Sequence, residues 1–172
     1  MTVRLEPWTE AHLDGVAELV ADQETVRFTR VPAEAPPDFP RTWLERYEAG
    51  RREGSREAFA IVDGNGIFLG LALAPKIDPD AREVELGYIV APGARGRGVA
   101  TAALRLLTDW AFETLGALRI ELLIDVDNGP SKRVAERCGY THEGVLRSAH
   151  LKADLRSDTE IWSRLPADPP PP

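Results

Sequence analysis

Residues 91–107, APGARGRGVATAALRLL, follow the alternating run VELGYIV and place three glycines and two arginines between positions 93 and 98. A helical pattern begins at once. A helix start gathers unpaired N–H groups and the positive end of a dipole, and glycines let the backbone come close to a bound anion. Arg95, Gly96, Arg97, Gly98, Val99, Ala100 and Thr101 are therefore a candidate phosphate cradle. The plain alternative is a tight strand-to-helix turn with solvated arginines. Three phosphate-binding patterns compete. An NTPase loop requires a lysine, and none lies near. The dinucleotide fingerprint fits Gly96 and Gly98 but meets Thr101 at its third glycine, and it expects an earlier strand. The pattern Arg/Gln-x-x-Gly-x-Gly/Ala is met at Arg95, Gly98 and Ala100.

Such a turn needs a strand before it and a helix after it. Residues 2–6 alternate as a first strand. Thr9 reads as an N-cap ahead of Leu13, Val16, Ala17 and Val20 at helical spacing. Residues 30–40 hold four prolines and read as a surface loop. Residues 41–54 read as a helix with Trp43, Leu44 and Tyr47 inward, and residues 56–78 as two strands joined at DGNG, a hairpin signal. A third strand spans 82–90. The helix over 98–115 carries Ala100, Leu104, Leu107 and Ala111 on one face, and Gly116 stops it. Then come a strand over 118–126, a short helix over 129–139, and a bend with a final strand over 151–165. The expectation is one α/β domain over residues 1–166 with a mixed sheet. The proline-rich tail, 167–172, is expected to be disordered.

At this point the chain resembles a known family. VELGYIVAPGARGRGVATAALRLLTDWAF is similar to the central strand, pyrophosphate loop and following helix of the GNAT superfamily of acyl-CoA-dependent N-acetyltransferases. LRIELLIDVDNGPSKRVAERCGYTHEGVLR resembles that family's next strand, Asn-x-x-Ser helix and Glu-Gly turn, and DTEIWSRL its closing strand. The motifs cover residues 82–165; residues 1–81 agree in order of elements. The style resembles the Rim-type branch, the ribosomal-protein N-terminal alanine acetyltransferases. The resemblance implies a GNAT fold: a mixed central β-sheet flanked by helices, with a splayed CoA-binding groove. It also implies acetyl-CoA as the acyl donor, its pyrophosphate on the N–H groups of 95–101.

The resemblance suggests roles residue by residue. The strand end Tyr88, Ile89 and Val90 would expose backbone N–H to the thioester carbonyl. Asn128 would hold the pantetheine amides, while as a plain residue it is a turn former before Gly129–Pro130. Ser131 would donate to the leaving thiolate, or cap its helix, or both. Many relatives carry a tyrosine acid four residues on, where this chain has Ala135. Lys132, Arg133 and Arg137 form a basic cluster, for nucleotide phosphates or for solvent. Glu85 shares its strand face with Gly87, which leaves room for an acceptor, and is the favoured base; a solvent-facing carboxylate is the alternative. His150 is the second candidate. The proline loop 30–40 and the bend 150–158 are expected to flank the acceptor groove. Cys138 and Tyr140 read as core, and His12 and His142 as surface.

The bulk numbers exclude several classes. The chain has 172 residues, 43% hydrophobic and 28% charged, which suits one globular domain. A net charge of −7 argues against a nucleic-acid binder. No apolar run suits a membrane span or signal core. With one cysteine, Cys138, a cytoplasmic location is expected. No His/Cys/Asp cluster has metal spacing, so no metal is expected. The resulting reading is an acyl-CoA-dependent N-acyltransferase acting on an amine such as a protein N-terminus. The alternatives are a small-molecule amine acetyltransferase, for antibiotics or polyamines, and a CoA-binding regulatory domain without turnover. Acetyl versus succinyl, the acceptor, the base and a homodimeric state are left open by the sequence.

Overall fold

Alternating apolar residues in the first half of the chain build an antiparallel array: β1 (Val3–Pro7), β2 (Glu57–Asp63), β3 (Phe68–Asp78) and β4 (Glu83–Val90). Three helices, α1 (Leu13–Ala21), α2 (Gln23–Phe28) and α3 (Phe39–Glu53), lie between β1 and β2 in sequence. After β4 come α4 (Val99–Glu113), β5 (Arg119–Asp125), α5 (Gly129–Arg137), β6 (Thr141–Lys152) and β7 (Leu155–Arg164). This computed structural model describes residues 1–171. Its strands form one mixed sheet in the order β1-β2-β3-β4-β5-β7-β6.

Each face of the sheet has its own core. α4 buries Val99, Ala103, Leu104, Leu107 and Ala111 against Val84, Leu86 and Ile120. Ala100, expected on that inward face, is only half-buried. On the opposite face α1 and α3 cover Leu71, Leu73 and Ile89. There Trp8 meets Trp43 edge-on at 5.4 Å, an arrangement worth about 0.5–1.5 kcal/mol beyond the area it buries.

Two elements depart from the sequence reading. α2 is six residues long and carries little periodic signal; its N-cap is Asp22, whose side chain accepts from Thr25 N–H. β6 replaces an expected turn. It is an edge strand with almost no buried side chain, so it lacks the alternation that marks a strand. Its far end is tied down by Lys152, whose Nζ donates to the carbonyls of Val26 and Thr29 at the end of α2. At the C-terminus, Leu165 N–H donates to Asp168 Oδ2 at 2.7 Å in a turn, and residue 172 lies outside the described residues.

β4 and β5 are parallel, and they pair only at Glu83–Arg119, Val84–Ile120 and Glu85–Glu121. Beyond Glu85 they part, while β4 stays paired to β3 as far as Val90. Arg119 clamps the closed end. Its guanidinium reaches Glu83 of β4 at 3.4 Å, Glu121 at 3.5 Å and Glu143 of β6 at 2.6 Å. Glu143 also accepts from Ser163 Oγ of β7 at 2.6 Å.

Hydrogen bonds from Arg119 and Ser163 hold the Glu143 carboxyl down at about 2. That lies below the unfolded value of about 4.3, so its stabilisation is complete above about pH 4.5 and fades as pH falls toward 2. The side chain is 39% exposed, so screening reduces the gain to about 1 kcal/mol. Glu143→Gln is expected to lose about that much at about pH 7 in urea unfolding, converging with the unaltered protein as pH drops toward about 2.5. A gap undiminished in acid would show that Glu143 is not the titrating clamp.

Candidate active site

The parting of β4 and β5 opens a cavity of about 520 Å³ that both faces of the sheet line. From the α3 side come Glu85, Gly87 and Ile89; from the α4 side Tyr88; from beyond the gap Asn128 and Ser131. His150 of β6 lines it too. The structure thus brings the sequence-predicted Glu85, Tyr88, Ile89, Asn128, Ser131 and His150 to one place. Gly87 contributes room, since an added Cβ there would meet nothing within 4 Å.

The glycine turn lies between β4 and α4, with Gly96 at φ +71° and Gly98 at φ +79°. Only glycine adopts such left-handed angles without cost. A Cβ on either would point into open space. α4 starts without a side-chain cap, and its first bond runs from Ala102 N–H to Gly98 O at 3.1 Å. The N–H groups of Val99, Ala100 and Thr101 are therefore left for a ligand or water. An uncapped helix start with open space over its glycines fits a pyrophosphate.

Arg95 behaves differently from a phosphate ligand. Its guanidinium donates to Asp22 at 2.5 Å, Glu24 at 3.1 Å and Thr25 at 3.2 Å, and its Nε to Val90 O at 3.1 Å. The side chain ties the turn to the start of α2, and its hydrogen bond holds the Asp22 carboxyl below its ordinary range. The Arg95 N–H is also occupied, donating to Pro92 O at 3.3 Å, so the expected cradle over 95–101 narrows to the backbone N–H groups of 96–101. Arg97 is exposed, near Gly93 O and Met1. Arg133 is exposed on α5. Its neighbour Lys132 is occupied, donating to Val126 O at 2.9 Å and Glu160 at 3.0 Å.

Asn128, not Ser131, caps α5: Ser131 N–H donates to Asn128 Oδ1 at 3.2 Å. The helix therefore begins earlier than a Ser131 cap would place it, and the Ser131 hydroxyl is released from capping. Beside it the Tyr88 hydroxyl is buried without a hydrogen-bond partner of normal geometry. Burial pushes its pKa up to about 12, opposed by nearby Ser131. Position 135, where a tyrosine acid would stand, is a buried alanine. Cys138 is buried, with Sγ 3.6 Å from Thr101 O, and burial pushes its thiol up. Tyr140 is buried, its hydroxyl 2.7 Å from Thr108 Oγ1.

On the α3 side, Glu85 meets Arg30 at 2.8 Å, and its side chain is only 11% exposed. Burial raises its pKa, and the charge and hydrogen bond of Arg30 oppose the rise. Burial lowers the pKa of His150, as do Lys152 and Arg30, while Asp125 opposes them. Sequence reasoning missed Arg46, Tyr47 and Arg56 as lining residues; the inward phase of Trp43 and Tyr47 on α3 was the available signal. Of the proline loop, Arg30, Val31 and Pro32 line this cavity, whereas Pro36, Pro37 and Pro40 line a separate groove against α1 and α2.

Among the described residues, no group of His, Cys, Asp or Glu is placed to hold a metal ion. No helix among them is long and apolar enough to cross a membrane.

Comparison with known proteins gives the same architecture. YdaF of Bacillus subtilis (strain 168), which carries a provisional ribosomal N-acetyltransferase name, is 33% identical over 109 residues, 63% of this chain and 58% of its own. Spermidine N(1)-acetyltransferase of Vibrio cholerae serotype O1 (strain ATCC 39315 / El Tor Inaba N16961) is 28% identical over 102 residues, 59% of each chain. The chain thus matches under two thirds of either relative's length. The structure of RimL, a ribosomal L7/L12 alpha-N-protein acetyltransferase in complex with coenzyme A, superimposes with a TM-score of 0.83 at 21% identity, covering 96% of this chain and 94% of that one. The acetyltransferase (GNAT) domain model matches residues 2–141, and with a parted β4–β5 pair beside an uncapped glycine turn, the chain belongs to that family.

Proposed function

We propose that this chain is an N-acetyltransferase that moves acetyl from acetyl-CoA directly to a primary amine, with a protein N-terminus as the first acceptor class. The observation that carries the proposal is the through-sheet cavity, which joins Ser131 and Asn128 on one side to Glu85 and His150 on the other. Acetyl-CoA supplies an acyl thioester. The N–H groups at 96–101 hold its pyrophosphate, and the freed edge of β4 with the Asn128 amide nitrogen holds its arm. Backbone N–H near Tyr88–Val90 polarises the carbonyl. The Ser131 hydroxyl donates a hydrogen bond to the leaving thiolate, which takes its proton from water. Glu85, raised by burial, takes the proton from the attacking amine through water. An α-amine with a pKa of about 7.7–8.0 is already partly neutral near pH 7.5, so a modest base suffices.

The domain boundary at residue 166 belongs to the same proposal, since β7 ends at Arg164. Relatives named as spermidine N-acetyltransferases supply the second reading, a polyamine acceptor. Thiol titration of CoA released across peptides and small amines tests the function. CoA binding without release from any acceptor would support the regulatory domain instead.

Gly98→Ala is expected to weaken CoA binding by about tenfold or more, because a methyl enters the phosphate space and the turn is strained by about 1–2 kcal/mol. Calorimetry on the folded variant, its Tm a few degrees lower, checks this. Unchanged CoA affinity would remove the cradle.

Glu85→Gln is expected to lower kcat about tenfold to a hundredfold with CoA affinity unchanged. His150 has its pKa lowered, so if it carried the proton, kcat/KM would fall only below about pH 6.5, and His150→Ala would abolish that acid limb. Near-normal kcat in both variants would leave the chemistry to the amine's own pKa and Ser131.

A further inference from the structure

The acceptor side of the cavity holds more positive charge than its carboxylates answer. Arg30 and Glu85 neutralise one another. Asp125 accepts from Ser157 Oγ at 2.8 Å. Arg46 of α3 and Arg56, one residue before β2, line the same cavity, and neither has an ion pair or hydrogen bond among the described residues. Their placement is built in. Arg46 and Gly50 are four apart on α3 and share a face. Gly50 admits Arg56 there: an added Cβ would stand 2.6 Å from the Arg56 Cβ. Arg56, Arg30 and Arg46 all lie close enough to Tyr47 to oppose the burial that raises its hydroxyl. Trp43, Tyr47 and Phe28 supply apolar wall around them.

Arg46 is exposed and Arg56 half-buried, so water solvates both in the free protein, and neither has to give up an ion pair to take a ligand. A guanidinium's planar fork suits a carboxylate or phosphate. We infer that the acceptor is an amine that also carries a carboxylate or phosphate, which Arg46 and Arg56 hold while the amine faces Glu85. This rests on the acetyltransferase reading. It selects within that reading: a polycation meets like charge at the entrance, whereas an acidic amine is drawn in.

The test compares matched acceptors: phenylalanine with phenylalaninamide, 2-aminoethyl phosphate with ethanolamine, and a peptide opening Ser-Glu-Glu with one opening Ser-Gln-Gln, alongside spermidine. CoA release gives kcat/KM, and tryptophan fluorescence of the CoA-loaded protein reads binding. The anionic member of at least one pair is expected to exceed its neutral twin and spermidine by about tenfold or more. The pair that does so separates carboxylate from phosphate and small acceptor from peptide. Joint Arg46→Gln and Arg56→Gln is expected to erase the preference by raising KM for the anionic member, with CoA affinity unchanged by calorimetry. Joint Arg→Lys at both positions should restore part of it. Neutral amines or spermidine doing as well, a preference that survives the double glutamine variant, or anionic members that neither bind nor react would each overturn the inference. Turnover confined to neutral amines removes the anion but leaves the acetyltransferase standing. Failure of the unaltered protein to bind CoA removes both.

Discussion

Three residue pairs hold β4 to β5, and then the pair comes apart. The rest of the site depends on that parting. A parallel pair that continued would satisfy its own backbone and close the sheet. Instead β4 runs on with one edge paired to β3 and the other open. Arg119 makes the divergence sustainable by fixing β4, β5 and β6 together at the closed end. Beyond β5, the antiparallel β7–β6 pair carries His150 to the far wall.

The arginines of this acidic chain divide into those that build and those that face the cavity. Arg95 and Arg119 have several acceptors each and are structural fasteners. Arg95 occupies the motif position that a sequence reader would assign to phosphate, yet its side chain is spent on α2. It thereby sets where the N–H groups of the next turn stand. Arg46 and Arg56 match no motif, and they are the guanidiniums left facing the cavity. Motif membership and availability to a ligand are different properties, because a half-buried guanidinium that spends four of its five N–H donors on protein acceptors has little left to offer.

What was legible in the sequence follows the strength of local periodicity. The strands around DGNG, α4 behind the glycines and the Asn128–Ser131 turn all carry short-range signals, and they appear near the expected positions. The two α3 aromatics, Trp43 and Tyr47, were also correctly phased. α2 and β6 were not legible: one is too short for a 3.6-residue period, and the other is an edge strand with little to bury. Glu85 could be placed on a strand face, but not its partner Arg30, because 54 residues of intervening chain determine that meeting. Arg46 and Arg56 escaped notice for the same reason.

The sheet also separates two kinds of electrostatics. On the α4–α5 side the cavity is lined by Tyr88, Asn128 and Ser131, uncharged groups beside backbone N–H. Fixed dipoles of that kind stabilise negative charge developing on a carbonyl or sulfur without holding a counter-charge in the ground state. On the α3 side stand Glu85 and the arginines, whole charges that in the proposed reading recognise the acceptor and take its proton. A free ammonium near the donor side would be poorly solvated, and a guanidinium there would bind the ground-state thioester as firmly as the transition state. In that reading, keeping whole charges on the acceptor side leaves preorganised dipoles at the breaking bond, and the two sets meet at the gap between β4 and β5.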